Sequence, residues 1–207
     1  MPAQYATRIL GEPVRISLSV LAALAFLHGD GHAQCEPTVL IAYHSHTGHT
    51  RAMAEAVAAG VAGAGGTALL RSVDSVPAAE LVAADAIVLG SPVHNANMAA
   101  PMQEFISRWP FEGRPLADKP GAVFVAGGGM SAGQEATQLA LIRAMLVHGL
   151  IIVGGVDWLS AFGAAAITDE EPFAAGVRPV DERFLVKARG LGARVVDVAA
   201  RFGCGAR

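Results

Sequence analysis

Val39-Leu40-Ile41-Ala42-Tyr43-His44-Ser45-His46-Thr47-Gly48-His49-Thr50 is the stretch that decides the fold. Its apolar start, with branched residues, reads as a buried strand. The strand ends in a loop of hydroxyl residues around one glycine. Arg51 to Val61 then follow as an Ala-rich helix, with Met53, Ala54, Val57 and Val61 spaced for one apolar face. A strand, a polar loop and a helix start together form an anion site. The first-turn N–H groups have no partner inside the helix, and the helix dipole favours a phosphate there. Ser45, Thr47 and Thr50 add hydroxyl donors, and Gly48 lets the backbone come close.

Working outward, strand and helix alternate, which is the doubly wound α/β pattern. Strands are expected at 38–43, 68–71, 86–91, 121–126 and 150–153. Helices are expected up to residue 61 and over 76–84, 98–109, 136–148 and 181–202. Residues 110–120 read as a Pro- and Gly-rich loop, and residues 158–177 as irregular chain. Right-handed crossovers place helices on both faces of a five-stranded parallel sheet, a three-layer sandwich. Ligands on such sheets bind beyond the carboxyl ends of the strands, near the switch in strand order. Three loops with unusual chemistry leave those ends: Ser45 to Thr50, Ser91 to Asn97 and Gly127 to Gly133. They offer enough polar backbone for a phosphate and a flat, hydrogen-bonding ring.

The chain has 207 residues, 53% apolar and 16% charged, so it can bury a full core and is not a disordered chain. A net charge of −3 without a basic face excludes nucleic acid as the expected partner. Residues 1–33 read as a leader. Arg8 and Arg15 precede the apolar run Ile16 to Leu27, and Gly31 and Ala33 stand where a signal peptidase reads, before Gln34. The expected location is periplasmic or secreted if that leader is a signal peptide, and cytoplasmic otherwise. The folded domain is expected over 35–207. Cys35 and Cys204 are the only cysteines. The last helix should run antiparallel to the first strand, bringing its end near that strand's start. A terminal disulfide is then possible in an oxidising compartment, and two unrelated free thiols are the alternative.

The three loops together resemble the flavodoxin-like family, most closely its WrbA-type branch of NAD(P)H:quinone oxidoreductases. Residues 43–50 are similar to that family's FMN-phosphate loop. Gly90-Ser91-Pro92-Val93-His94-Asn95-Ala96-Asn97-Met98 resembles its second loop. Phe124-Val125-Ala126-Gly127-Gly128-Gly129-Met130-Ser131-Ala132-Gly133-Gln134-Glu135 resembles its third. His148-Gly149 before the strand at 150–153 matches the next block, and Phe162-Gly163-Ala164 echoes a later one. The likeness runs over residues 38 to 168. Val93-His94-Asn95-Ala96 stands where the family usually has Thr-Arg-Phe-Gly, and Val125, Ala126 and Gly127 replace hydroxyl residues. The family's long insertion before the third strand is absent. That insertion helps to build the family's tetramer, so a homodimer is expected here and four-fold assembly is left open.

The resemblance implies an FMN-dependent enzyme that passes electrons from NAD(P)H to a quinone-like acceptor. Its alternatives are a flavodoxin-like carrier serving a redox partner protein, and a degenerate flavodoxin fold that only binds. Ser45, His46, Thr47, Gly48, His49 and Thr50 would hold the FMN phosphate. Pro92, Val93, His94, Asn95 and Ala96 would run along the flavin ring. Gly127, Gly128, Gly129 and Gly133 would present the third loop to its polar edge. His148 would be the catalytic residue, beside the flavin and in contact with the acceptor; simple service at a helix end is its other reading. Trp109 would either shield the ring or belong to the core.

Two other chemistries are weaker on the residues. His44, His46, His49 and His94 crowd the first two loops, but without the supporting carboxylate or thiolate of a standard zinc pattern, so no metal site is assigned. Gly129-Met130-Ser131-Ala132-Gly133 matches a nucleophile elbow, yet no histidine follows His148 and no acid lies between Glu135 and His148. The Ser–acid–His order is therefore missing.

Overall fold

The structure is a computed structural model and describes residues 35–174 and 180–203. The leader at 1–33 and Cys204 lie outside the described residues.

Strand β1 (Thr38–Tyr43) is followed by helix α1 (His49–Gly63) and strand β2 (Thr67–Ser72). Helix α2 (Ala78–Ala83) leads to β3 (Ala86–His94), which folds back into the short β4 (Asn97–Met98). Helix α3 (Ala100–Ser107), strand β5 (Pro120–Gly127) and helix α4 (Gln134–Val147) come next. The chain continues through β6 (Ile151–Ile152) and β7 (Ala164–Ile167) to the long helix α5 (Glu182–Phe202). The sheet order is β2-β1-β3-β5-β6, with β7 also on β5 and β4 paired only to β3. All pairings are parallel except the β3–β4 hairpin.

Successive side chains of a strand point to opposite faces, and here both faces are buried, as in other parallel sheets. Val39 and Ile41 of β1 face the layer that holds Met53, Val57, Leu191 and Val195 of α1 and α5. Leu40 and Ala42 face the layer that holds Leu81, Met102, Leu141 and Met145 of α2, α3 and α4. Helices α1 and α5 meet backbone to backbone. A Cβ at Gly60 would collide with the Arg189 carbonyl, and one at Gly192 with that of Val57. Lys119, 4% exposed, donates to the carbonyls of Val82 and Ala84 and so closes the end of α2.

The fold agrees with the doubly wound expectation, and the differences are local. The fifth strand position is filled by two pieces. Ile151 and Ile152 pair with Pro120 and Gly121, while Ala164 to Ile167 pair with Phe124 to Gly127. Between them the chain leaves the ladder and folds on itself, with the Gly155 N–H donating to the Ser160 carbonyl. Val153 is therefore outside the strand expected at 150–153, and part of the segment expected to be irregular is a strand. Strand β3 also runs on to His94, because β4 gives its end a partner.

Candidate functional site

Strand order brings the three loops together. β1, β3 and β5 are neighbours, with Tyr43 opposite Gly90 and Gly90 opposite Phe124. The His44 N–H donates to the Gly90 carbonyl at 2.9 Å, which joins the first loop to the base of the second.

The first loop ends on α1. Gly48 stands at the N-cap with φ 96, a left-handed conformation that glycine adopts without strain. No side chain caps this helix, and its first turn holds no acidic residue. The leading N–H groups therefore have neither an intrahelical partner nor a competing carboxylate. A Cβ at Gly48 would meet nothing within 4 Å, so the space beside the loop at this residue is open. Ser45 Oγ accepts from the Gly48 N–H at 3.2 Å, and Thr47 Oγ1 lies 3.2 Å from His49 Nδ1. His46 and Thr47 are exposed, whereas Thr50 is 1% exposed.

The second loop is a tight hairpin. Val93 and His94 pair with Met98 and Asn97, and Asn95 and Ala96 turn the corner with φ of 51 and 58. Two left-handed residues are what the favoured two-residue hairpin needs. Asparagine tolerates that conformation and alanine pays for it in strain. At the hairpin's base the fully buried Ser91 donates to the Pro92 carbonyl and accepts from the Ala99 N–H.

The third loop touches the second, since a Cβ on Gly133 would collide with Ala96. Gly133, φ 98, is the N-cap of α4, and this helix too lacks a side-chain cap. Gln134 is 4% exposed; its amide nitrogen donates to the Gly129 carbonyl at 2.5 Å. Its Oε1 is buried without a partner. An orphan acceptor beside the glycine loop suits a ligand with an N–H edge, since buried polar groups are normally paired. The open start of α1 suits a phosphate. Both observations fit FMN. Ser131 lies exposed in the third loop.

His148 does not join these loops within one chain. It follows the last residue of α4, a 14-residue helix, so it lies about 20 Å from the third loop at 1.5 Å per residue. Its ring packs edge-on against Trp109 and Phe111, with centroids 5.1 and 5.5 Å apart. Burial pushes its imidazole pKa below 6.5. Within one chain, the structure therefore keeps His148 away from the three loops. Trp109 belongs to the core at the same far end, 5% exposed.

Sequence reasoning missed two carboxylates. Asp169 and Glu170 follow β7, and Glu170 Oε2 accepts from the Met130 N–H at 2.6 Å. The signal available was the acidic run Asp169-Glu170-Glu171, but its contact spans 40 residues of chain.

Among the described residues, no group of three or more His, Cys, Asp or Glu could hold a metal ion. No helix among them is long and apolar enough to cross a membrane.

A doubly wound parallel sheet in the order β2-β1-β3-β5-β6, with three polar loops gathered at its carboxyl edge, defines a flavodoxin-like fold. Residues 76–165 match the family model of the NADPH-dependent FMN reductases. A protein of Solidesulfovibrio magneticus named NAD(P)H dehydrogenase (quinone) is 34% identical over 79% of this chain and 98% of its own length. NAD(P)H dehydrogenase (quinone) 3 of Rhizobium meliloti is 33% identical over 78% of this chain and 92% of its own. The crystal structure of a WrbA-like flavodoxin protein from Agrobacterium tumefaciens superposes with a TM-score of 0.66, at 26% identity, over 80% of this chain and 99% of that one. The chain therefore belongs to the NAD(P)H dehydrogenase (quinone) family, the WrbA-type branch of the flavodoxin-like proteins.

Proposed function

We propose that this protein is an FMN-dependent oxidoreductase that passes electrons from NAD(P)H to a quinone-like acceptor. The observation that carries the reading is the uncapped, acid-free start of α1, open at Gly48 and set beside the two other loops. FMN, when bound, supplies the redox chemistry by taking electrons from the nicotinamide and giving them to the acceptor.

The chain's own residues bind and orient. Ser45, His46, Thr47, Gly48, His49 and Thr50 hold the phosphate through first-turn amides and hydroxyls. Pro92, Val93, His94, Asn95 and Ala96 line one side of the ring. Gly127, Gly128, Gly129 and Gly133 shape the third loop so that backbone, not side chain, meets the ring's polar edge. The contact between Ala96 and Gly133 fixes the spacing of these two walls. The acceptor contact that the resemblance gives to His148 then comes from a second copy, in a homodimer, because its own chain holds it at the far end of α4. Phe111, packed on His148 and 60% exposed, gives that contact an apolar partner.

The test is anaerobic. FMN-loaded protein should lose its oxidised flavin absorbance on adding NADH or NADPH and recover it on adding a benzoquinone. Loss with dithionite but with neither nicotinamide would instead support the electron-carrier reading. That second reading has one observation in its favour: Cys35 is disulfide-bonded. With the leader at 1–33, this supports an oxidising compartment, where a partner protein is the more available reductant. Intact-mass analysis of protein from its source decides it, since export predicts a chain starting near Gln34.

A further inference from the structure

The loop that should face the flavin's polar edge is held from behind. Strand β7 lies on the side of β5 away from β3, so the residues after β7 flank the third loop opposite to the first and second loops. Backbone hydrogen bonds to the third loop continue past the end of β7. The Thr168 N–H donates to the Gly127 carbonyl and the Asp169 N–H to that of Gly128, both at 3.0 Å. Side chains then take over. Glu170 Oε2 accepts from the Met130 N–H at 2.6 Å and lies 2.9 Å from where a Cβ of Gly129 would stand. Asp169 Oδ2 lies 2.9 Å from the corresponding point on Gly128 and 3.2 Å from Thr168 Oγ1. No cationic side chain has an ion pair or hydrogen bond with Asp169 or Glu170 among the described residues. Beside the same loop, the Gln134 amide donates to the Gly129 carbonyl and its Oε1 is buried without a partner among the described residues.

We infer that Glu170 is a positioning residue that latches the third loop through Met130 and, with Asp169, sets a negative charge behind the flavin that lowers its reduction potential. The inference rests on the FMN reading above. Its physical basis is electrostatic. A flavin that takes up two electrons with one proton, as from a hydride, gains one negative charge. Carboxylates behind the loop disfavour that charge and leave the oxidised ring nearly untouched. The hydrogen bond itself is a separate matter, because it fixes the loop whether or not a ligand is present.

Two variants separate latch from charge. Glu170→Gln keeps an acceptor for the Met130 N–H and removes the charge. Glu170→Ala removes both. Hydrogen exchange on the ligand-free full chain reads the latch: the Met130 amide should exchange faster in Glu170→Ala and at the wild-type rate in Glu170→Gln. An unchanged Met130 rate in Glu170→Ala overturns the proposal without any need for flavin. Redox titration of the FMN-loaded proteins reads the charge. Glu170→Gln should favour reduced over oxidised FMN by roughly three- to tenfold, and tenfold is about 30 mV for a two-electron couple. A wild-type potential in Glu170→Gln overturns the proposal. Failure of the wild-type chain to bind FMN sinks the functional reading and the charge half of this one together, whereas a changed exchange rate with no changed potential sinks only this one.

Discussion

The Cβ of Ala96 stands where a side chain on Gly133 would have to go, so these two residues join the second loop to the third. Ala96 holds φ 58 and Gly133 φ 98. The contact therefore combines a strained alanine with a glycine that has no alternative. Gly133→Ala should destabilise the protein by about 1–3 kcal/mol through collision and left-handed strain, and it should weaken FMN binding. Ala96→Gly should stabilise it by about 0.5–1 kcal/mol, as relief of left-handed strain outweighs glycine's entropy. In the double variant, Gly133→Ala should cost less than it does alone. Urea unfolding of the four proteins checks all three values.

The phosphate loop can be separated from the ring by ligand choice. Thr47→Ala should weaken FMN more than riboflavin, by roughly 1.5–3 kcal/mol, the worth of a hydrogen bond to a charged group. Thr47 is exposed, so its loss leaves the fold intact. Calorimetric titration with both ligands reads the difference; equal weakening would remove Thr47 from the phosphate site.

Burial depresses the His148 pKa below 6.5. Below that pH the unfolded chain takes up this proton more readily than the folded one. The associated stability is complete above about pH 6.5 and is lost as the pH falls from there through the folded value. His148→Gln should flatten that part of the profile. Melting temperatures near pH 8 and near pH 5.5 test it, and the same acid loss in the variant would assign it to other groups.

Much of this site could be read from residues 38–50, because strand periodicity, the glycine and the helix stripe all lie within one short segment. The split of the fifth strand could not. Ala164-Ala165-Ala166 lacks branched residues, and its place is set by β5, some 40 residues earlier in the register Phe124 to Ala164. The position of His148 was legible in outline, because the helix expected over 136–148 already carries it about 20 Å from the third loop at 1.5 Å per residue. The resemblance aligns His148 with a residue beside a flavin but does not say whose flavin, and the packing of its ring on Trp109 and Phe111 is what the structure adds. Ala96 is the reverse case: as a departure from the family's glycine it was visible in the sequence, and the structure adds the left-handed backbone it must bear.

A homodimer in which His148 serves the partner's site makes a mixing prediction. His148→Ala alone and Gly133→Ala alone should both be poor quinone reductases. Mixed after reversible dissociation, they should regain up to about a quarter of wild-type activity, the share of sites that draw both intact halves from random pairing. No recovery on mixing, with dimers confirmed by sedimentation, would count against a shared site.

Binding of FMN by the purified full chain is the most direct test of the central claim. Titrated into the protein, FMN should have its fluorescence quenched to a sharp end point at one equivalent per chain, with riboflavin bound more weakly. Unquenched FMN at micromolar concentrations of both would contradict the account, because the open start of α1 and the orphan acceptor of Gln134 would then have no flavin to serve.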